Sequence, residues 1–168
     1  TSDDSILMQK AIGSESDEID IHHAGTARRF LTAFFAAKAG SKTIQTGSKR
    51  MHERPIKIFV EALRTLGAEI SYLQNEGYPP LQIIGKPITK HQVEFDANIS
   101  SQYISALLLI GPTLPKGLEL RLVGTITSLP YINMTLSLLH ELGVKTTFKE
   151  NLIVIDPHKE IANKTFTV

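Results

Sequence analysis

HAGTARRF, residues 23–30, is the stretch at which a short alternating strand, Glu18 to His22, ends and an apolar helix begins. The first N–H groups of a helix have no partner within it, and the aligned peptide dipoles add partial positive charge there. A helix that opens at Gly25 is therefore suited to an anion. A single turn of this kind more commonly serves packing and capping. This sequence, however, contains a second one.

Composition places the chain among globular proteins with a core of their own. Its 168 residues are 42% hydrophobic and 21% charged, which excludes a disordered or fibrous class. The net charge of +1 argues against a dedicated nucleic-acid-binding protein. Cysteine is absent, which excludes disulfides and a Cys-based zinc site and fits the cytoplasm. No apolar run has the length of a membrane span. We expect neither a nucleic acid nor a membrane as a partner.

Hydrophobic periodicity predicts one helix, Asp3 to Ile12, and then the order β-α-β-α-β-β twice, at 17–88 and 89–160. In the first unit the predicted strands are 18–22, 42–45, 69–73 and 81–84, and the helices are 26–37 and 55–66. In the second unit the strands are 92–96, 119–123, 145–148 and 152–155, and the helices are 101–110 and 130–142. A shift of about 75 residues superposes Gly25 on Ser100 and Pro55 on Pro130. The helix starts at 24–26 and 100–102 are thus predicted to be equivalent corners.

Polar and basic residues accompany these corners. In the basic segment 49–55, Arg54 directly precedes a helix-opening proline. A cation is unfavourable at the positive end of a helix unless an anion lies there, although the segment could equally be a solvated loop. The equivalent place in the second unit carries Ser128 and Tyr131, whose hydroxyls suit a phosphate ester or polyol; Tyr131 could also be a packing aromatic. His22 and His52 lack metal-ligand spacing, so no metal site is predicted.

Five ordered motifs resemble those of the EPSP synthase family, the 3-phosphoshikimate 1-carboxyvinyltransferases. They are AGTA at 24–27 with Arg29, RM at 50–51 with ERPI at 53–56, YPPL at 78–81, SSQ at 100–102 before an alanine-leucine helix, and Ser128 with PYI at 130–132. The resemblance implies an α/β fold of repeated β-α-β-α-β-β units of the enolpyruvyl transferase type, with helices inside and sheets outward. It also implies transfer of the enolpyruvyl group of phosphoenolpyruvate to the 5-hydroxyl of shikimate 3-phosphate, with release of phosphate. This is a step of aromatic amino acid biosynthesis that needs no cofactor.

The resemblance also assigns site residues by position. Those that match family residues contacting phosphoenolpyruvate are Gly25, Arg54 and Gln102. Those that match residues holding shikimate 3-phosphate are Ser100, Ser101, Gln102, Ser128 and Tyr131. The family's acid and base groups belong to a second domain, and its glycine-lysine-serine segment does not occur here. We therefore expect an inactive substrate-binding portion of one domain, without catalytic residues, whose partner is the missing domain of the same parent chain.

Within this interpretation, residues 1–16 are the remnant of a first unit, and residues 161–168 begin the crossover to the missing domain. Four positions depart from the residues usual in the family: His23 replaces Asn or Asp, Arg28 replaces Met, Phe30 replaces Pro, and Leu129 replaces Lys. His23 could donate to a neighbouring loop or have a purely structural role. Arg28 could touch the ligand or point to solvent.

Two other functions fit the same architecture. One is a domain like the enolpyruvyl transferase that acts on UDP-N-acetylglucosamine, against which the lack of Cys and the SSQ motif speak. The other is a phosphate- or RNA-binding module, which the near-neutral charge and the lack of an aromatic stacking pattern disfavour.

Overall fold

The computed structural model describes residues 2–161 and 163–167. The chain divides into two compact units, residues 1–88 and 89–168. Thr1, in the predicted remnant 1–16, and Ala162 and Val168, in the predicted crossover 161–168, lie outside the described residues. Unit 1 contains α1 (Asp3–Ile12), β1 (Glu18–Asp20), α2 (Gly25–Ala37), β2 (Lys42–Thr46), α3 (Lys49–His52), α4 (Lys57–Thr65), β3 (Glu69–Tyr72) and β4 (Leu81–Ile84).

Unit 1 is a four-stranded sheet in the order β1-β2-β4-β3, in which only the pair of β1 and β2 is parallel. Its helices bury the stripes that the sequence spacing predicts, such as Phe59 and Leu63 on α4. Each of these two side chains is fully buried and stabilises the unit by about 1.5–3 kcal/mol through the hydrophobic effect.

Unit 2 repeats this arrangement. It contains β5 (Gln92–Asp96), α5 (Ser101–Ile110), a 3-10 turn (Gly111–Thr113), β6 (Leu118–Val123), α6 (Leu129–Glu141), β7 (Thr146–Lys149) and β8 (Leu152–Ile155). The sheet order is β5-β6-β8-β7, with β5 and β6 parallel and the other pairs antiparallel. The predicted repetition of β-α-β-α-β-β is therefore confirmed at the level of topology.

Several predicted boundaries were wrong, for local reasons. The first strand ends at Asp20 instead of His22, because His22 adopts a positive φ of 47° in a turn. The segment 49–55 is not entirely a loop: it begins with α3, a single turn whose N-cap Ser48 accepts a hydrogen bond from the Met51 N–H at 3.3 Å. The helix expected from Pro55 begins at Lys57, after Ile56 as N-cap.

The parallel strand pair determines where the helices start in each unit. The carboxyl ends of parallel strands lie at the same edge of a sheet. In unit 1 the segments that follow β1 and β2 lead into α2, α3 and α4, and in unit 2 the segments that follow β5 and β6 lead into α5 and α6. Helix starts that are far apart in sequence are thereby placed at one edge of their own sheet.

In each unit, a glycine next to the sheet lies so close to the backbone of another segment that no side chain would fit. A Cβ atom at Gly85 would collide with the carbonyl oxygen of Lys38 and the hydroxyl of Ser41, and one at Gly117 would collide with the carbonyl oxygen of Ile155. The registers Lys42↔Ile84 and Leu118↔Ile155 make these two places structurally equivalent. Both units thus have a close backbone contact at this place. In unit 1 its glycine directly follows β4, whereas in unit 2 its glycine directly precedes β6.

We expect Gly85→Ala to lower the free energy of unfolding by about 1–3 kcal/mol or more, because the backbone of Lys38 must move to admit the methyl group. Urea unfolding followed by circular dichroism measures the change. Gly13→Ala is the matched control, since Gly13 has a φ of −88° and its nearest added contact would be an ordinary 3.6 Å. Equal midpoints for the two variants would contradict the prediction.

Candidate functional site

Two of the predicted anion-binding residues, Gly25 and Arg54, are neighbours in unit 1. The Arg54 side chain reaches the first residue of α2, so that a Cβ atom at Gly25 would lie only 2.7 Å from Arg54 Nη1. Cβ atoms in proteins essentially never approach other heavy atoms this closely. Glycine at position 25 therefore leaves the space that the guanidinium group occupies.

A cavity of about 210 Å³ opens beside this pair, lined by His23, Ser48, Arg50, Met51 and Arg54. Two arginines and a hydroxyl face the same small space. The volume is below the roughly 300 Å³ at which pockets begin to hold drug-sized ligands. Its size and its basic lining therefore favour a small anion.

The start of α2 already binds one anion from within the chain. Ala24, the N-cap residue, provides no side-chain cap, and the Thr26 N–H donates to Asp4 Oδ2 at 3.2 Å. No sequence signal marks Asp4 for this contact, because it lies 22 residues away and reaches Thr26 only through the packing of α1 against α2. The contact places a carboxylate at this helix terminus, where the helix dipole favours negative charge.

Arg28 does not point to solvent, which was one of the two possibilities. It is 1% exposed, and its Nη1 donates to the carbonyl oxygen of Arg54 at 2.8 Å. Of the other departures from the family pattern, His23 is exposed and lines the cavity, Phe30 is half-buried, and Leu129 is 44% exposed.

The remaining predicted residues belong to unit 2 and lie at the starts of its two helices. Ser100 is the N-cap of α5, and its Oγ accepts from the Gln102 N–H at 3.4 Å. Ser128 is the N-cap of α6 but makes no side-chain capping bond. Tyr131 is 59% exposed, so the alternative of a half-buried packing aromatic was wrong.

A buried hydrogen bond between Ser105 and Thr135 joins α5 to α6, with 2.9 Å between the two hydroxyl oxygens. Ser101 and Tyr131 each precede one of these residues by four positions, and residues four apart lie on the same face of a helix. Both helices start from the same edge of the sheet. Ser101 and Tyr131 consequently lie toward the same end of the helix pair.

Within residues 2–161 and 163–167, no group of three or more His, Asp or Glu side chains could hold a metal ion. His52 is engaged elsewhere, with its Nε2 3.0 Å from the Thr46 hydroxyl. In the same described part of the chain, no helix is both long enough and apolar enough to cross a membrane.

Comparison with known proteins gives one consistent result. The family model described as EPSP synthase (3-phosphoshikimate 1-carboxyvinyltransferase) matches residues 4–168. A 3-phosphoshikimate 1-carboxyvinyltransferase of Bacteroides fragilis (strain YCH46) is 51% identical over 156 residues, which are 92% of this chain and 38% of the relative. Its counterpart from Haemophilus influenzae (strain ATCC 51907) is 44% identical over 147 residues, or 82% of this chain and 34% of the relative.

The solved EPSP synthase from Acinetobacter baumannii has the same fold over 88% of this chain and 32% of its own, with a TM-score of 0.70. Its sequence identity is 21%, so this likeness concerns the fold alone. The chain spans between about a third and two fifths of the length of the relatives named here.

Proposed function

Because the chain belongs to the EPSP synthase family, we propose that it is the substrate-binding portion of an enzyme that joins phosphoenolpyruvate to shikimate 3-phosphate. The parent enzyme transfers the enolpyruvyl group to the 5-hydroxyl and releases phosphate. Unit 1 binds the phosphate of phosphoenolpyruvate, and unit 2 binds shikimate 3-phosphate. The family match favours this function over the UDP-N-acetylglucosamine and RNA-binding alternatives.

The observation that carries the proposal is the contact between Arg54 and the start of α2. A guanidinium group at a glycine-opened helix terminus presents forked N–H donors together with backbone N–H groups to one anion. Arg50 adds a second positive charge to the adjacent cavity. This combination suits a phosphate group better than a neutral ligand.

In unit 2 the proposed ligand is a phosphate ester on a ring that carries hydroxyl groups. Ser101 and Gln102 in the first turn of α5, and Ser128 and Tyr131 at the start of α6, offer hydroxyl and amide groups for it. Ser100 can still donate its hydroxyl proton while its oxygen caps α5. The exposure of Tyr131 supports a role in ligand contact.

The proposal assigns no proton-transfer step to this chain. The groups that protonate the enol methylene and accept the hydroxyl proton belong, in this proposal, to the second domain of the parent chain. The cytoplasmic location, the lack of nucleic-acid and membrane partners, and the boundaries at residues 16 and 160 stay predictions.

Titration followed by NMR tests both halves of the proposal. We expect phosphate and phosphoenolpyruvate to shift the amides at the start of α2 first, and shikimate 3-phosphate to shift those of Ser101 and Gln102. Several hydrogen bonds of about 0.5–1.5 kcal/mol each, without contacts from the second domain, give dissociation constants of roughly 0.1 to 10 mM for shikimate 3-phosphate. Tyr131→Phe is expected to weaken this binding about threefold by removing one hydroxyl.

Tyr72→Phe is the control for this variant, since Tyr72 lies in unit 1 and its buried hydroxyl has no hydrogen-bond partner among the described residues. Equal shikimate 3-phosphate affinity in both variants would remove Tyr131 from the site. Shifts spread evenly over the chain, or tight salt-dependent binding of RNA, would contradict the proposed function as a whole.

A further inference from the structure

Arg54 lies against the same face of α2 with both its side chain and its backbone carbonyl. Gly25 makes room for its guanidinium group, and Arg28 donates to its carbonyl oxygen at 2.8 Å. Residues three apart in a helix are neighbours on its surface, so Gly25 and Arg28 form one cradle. The guanidinium group and the backbone carbonyl of Arg54 are therefore both next to α2, and the carbonyl is hydrogen-bonded to it.

The segment that carries Arg54 lies between two helices. It connects α3 with α4, and Pro55 offers no N–H group for a hydrogen bond. The Arg54 N–H donates to the carbonyl oxygen of Met51 at 3.2 Å, and the Ile56 N–H donates to that of Gly77 at 2.9 Å. Neither of these bonds is made to α2. The bond from Arg28 ties the segment to α2 directly.

Arg28 is itself rigidly placed. Its carbonyl oxygen accepts from Gln45 Nε2 at 3.2 Å and lies 2.7 Å from the Thr32 hydroxyl oxygen, which is also 2.7 Å from Gln45 Oε1. All three residues are buried, and Gln45 belongs to β2. This buried polar cluster fixes the first turns of α2 to the sheet, so the Arg28 side chain extends from a defined backbone position.

We propose that Arg28 is a positioning residue for anion binding: its buried guanidinium group fixes the Arg54 carbonyl and so sets the place of the Arg54 guanidinium beside Gly25. This inference rests on the proposed function, in which the phosphate of the ligand meets Arg54 and the start of α2. It assigns a role to a position that departs from the family's usual Met. Arg28 acts through Arg54, without touching the ligand.

The test compares Arg28→Met, Arg28→Lys and Arg64→Met in the 168-residue chain, with inorganic phosphate as the probe. Met has a similar hydrocarbon length but no donor, whereas Lys keeps the charge and a donor. Arg64 is the matched control, because its guanidinium also holds a backbone carbonyl, that of Ile70, at 2.6 and 3.1 Å, but lies on α4 away from Gly25. The NMR signal of the Arg54 Nε–H group reports the position of that side chain.

We expect Arg28→Met to weaken phosphate binding about fivefold and to shift the Arg54 Nε–H signal in the absence of phosphate. Arg28→Lys should recover part of the affinity, and Arg64→Met should bind as the unchanged chain does. Wild-type affinity and an unshifted Arg54 signal in Arg28→Met, or an equal loss in Arg64→Met, would overturn the inference. If Arg28→Met does not fold, Arg28→Lys decides by the same two measurements, with wild-type values again overturning it.

Different results would show that the proposed function itself is wrong. In that case the unchanged chain would not bind phosphate at the start of α2, or Arg54→Ala would bind phosphate as well as the unchanged chain. If both of these measurements support the site and only the Arg28 variants show no effect, the positioning role alone is wrong.

Discussion

The 168-residue chain should release no phosphate from a mixture of phosphoenolpyruvate and shikimate 3-phosphate, even at concentrations that saturate its binding sites. A protein accelerates a reaction only through interactions with the substrates that are stronger in the transition state than in the ground state. The donors of the two units bind phosphate and hydroxyl groups in the ground state, and the proposal places the proton-transferring groups outside this chain. Without the second domain to cover them, the ligands also stay in contact with water, which screens charge interactions.

A phosphate-release assay makes this measurement, with the full-length Bacteroides fragilis relative as the control, since that protein is named for the reaction. The relative should convert the substrates under conditions in which this chain shows no activity. Turnover by the chain would contradict the prediction and would mean that an acid and a base lie within these residues.

The fold was largely predictable because its signals are local. Alternating residues such as Val93 and Phe95 predict strands, apolar stripes predict helices, and Gly67 and Gly143 end helices with the positive φ that favours glycine. The repeat then predicts the same sheet order twice. Most errors lie at element ends, as at His22, where a turn competes with the strand pattern over one or two residues, and the single helical turn α3 was not predicted.

The site was predictable only in part, because its geometry depends on contacts between distant segments. The motifs indicated Gly25 and Arg54, but only the three-dimensional structure shows that Gly25 leaves space for the Arg54 guanidinium. Asp4 reaches Thr26 across 22 residues. Arg28 was open to two interpretations, since helical spacing gives a direction around the axis but does not say which segment packs there. Buried polar residues such as Gln45 and Thr32 carry no sequence signal that separates them from exposed ones.

Arg54→Ala should weaken the binding of phosphate and phosphoenolpyruvate to unit 1 between about tenfold and a hundredfold. A hydrogen bond from the guanidinium to a charged group contributes about 1.5–3 kcal/mol, which corresponds to roughly a tenfold to a hundredfold change in affinity. Gly25→Ala should act in the same direction with a smaller effect, because its methyl group would lie 2.7 Å from Nη1 and must push the guanidinium aside. Calorimetry with phosphoenolpyruvate gives both affinities.

The control for Arg54→Ala is Arg121→Ala, which removes the same charge from an exposed position on β6 in unit 2. If binding depended only on the net charge of the chain, the two variants would lose affinity equally, and both losses would vanish at high salt. A specific site predicts instead that Arg121→Ala binds nearly as the unchanged chain does. Since Arg54 is exposed, its removal should leave the thermal midpoint within a few degrees of the unchanged chain. A large drop in that midpoint would assign Arg54 a structural role, and unchanged affinity in Arg54→Ala would remove unit 1 from the phosphate site.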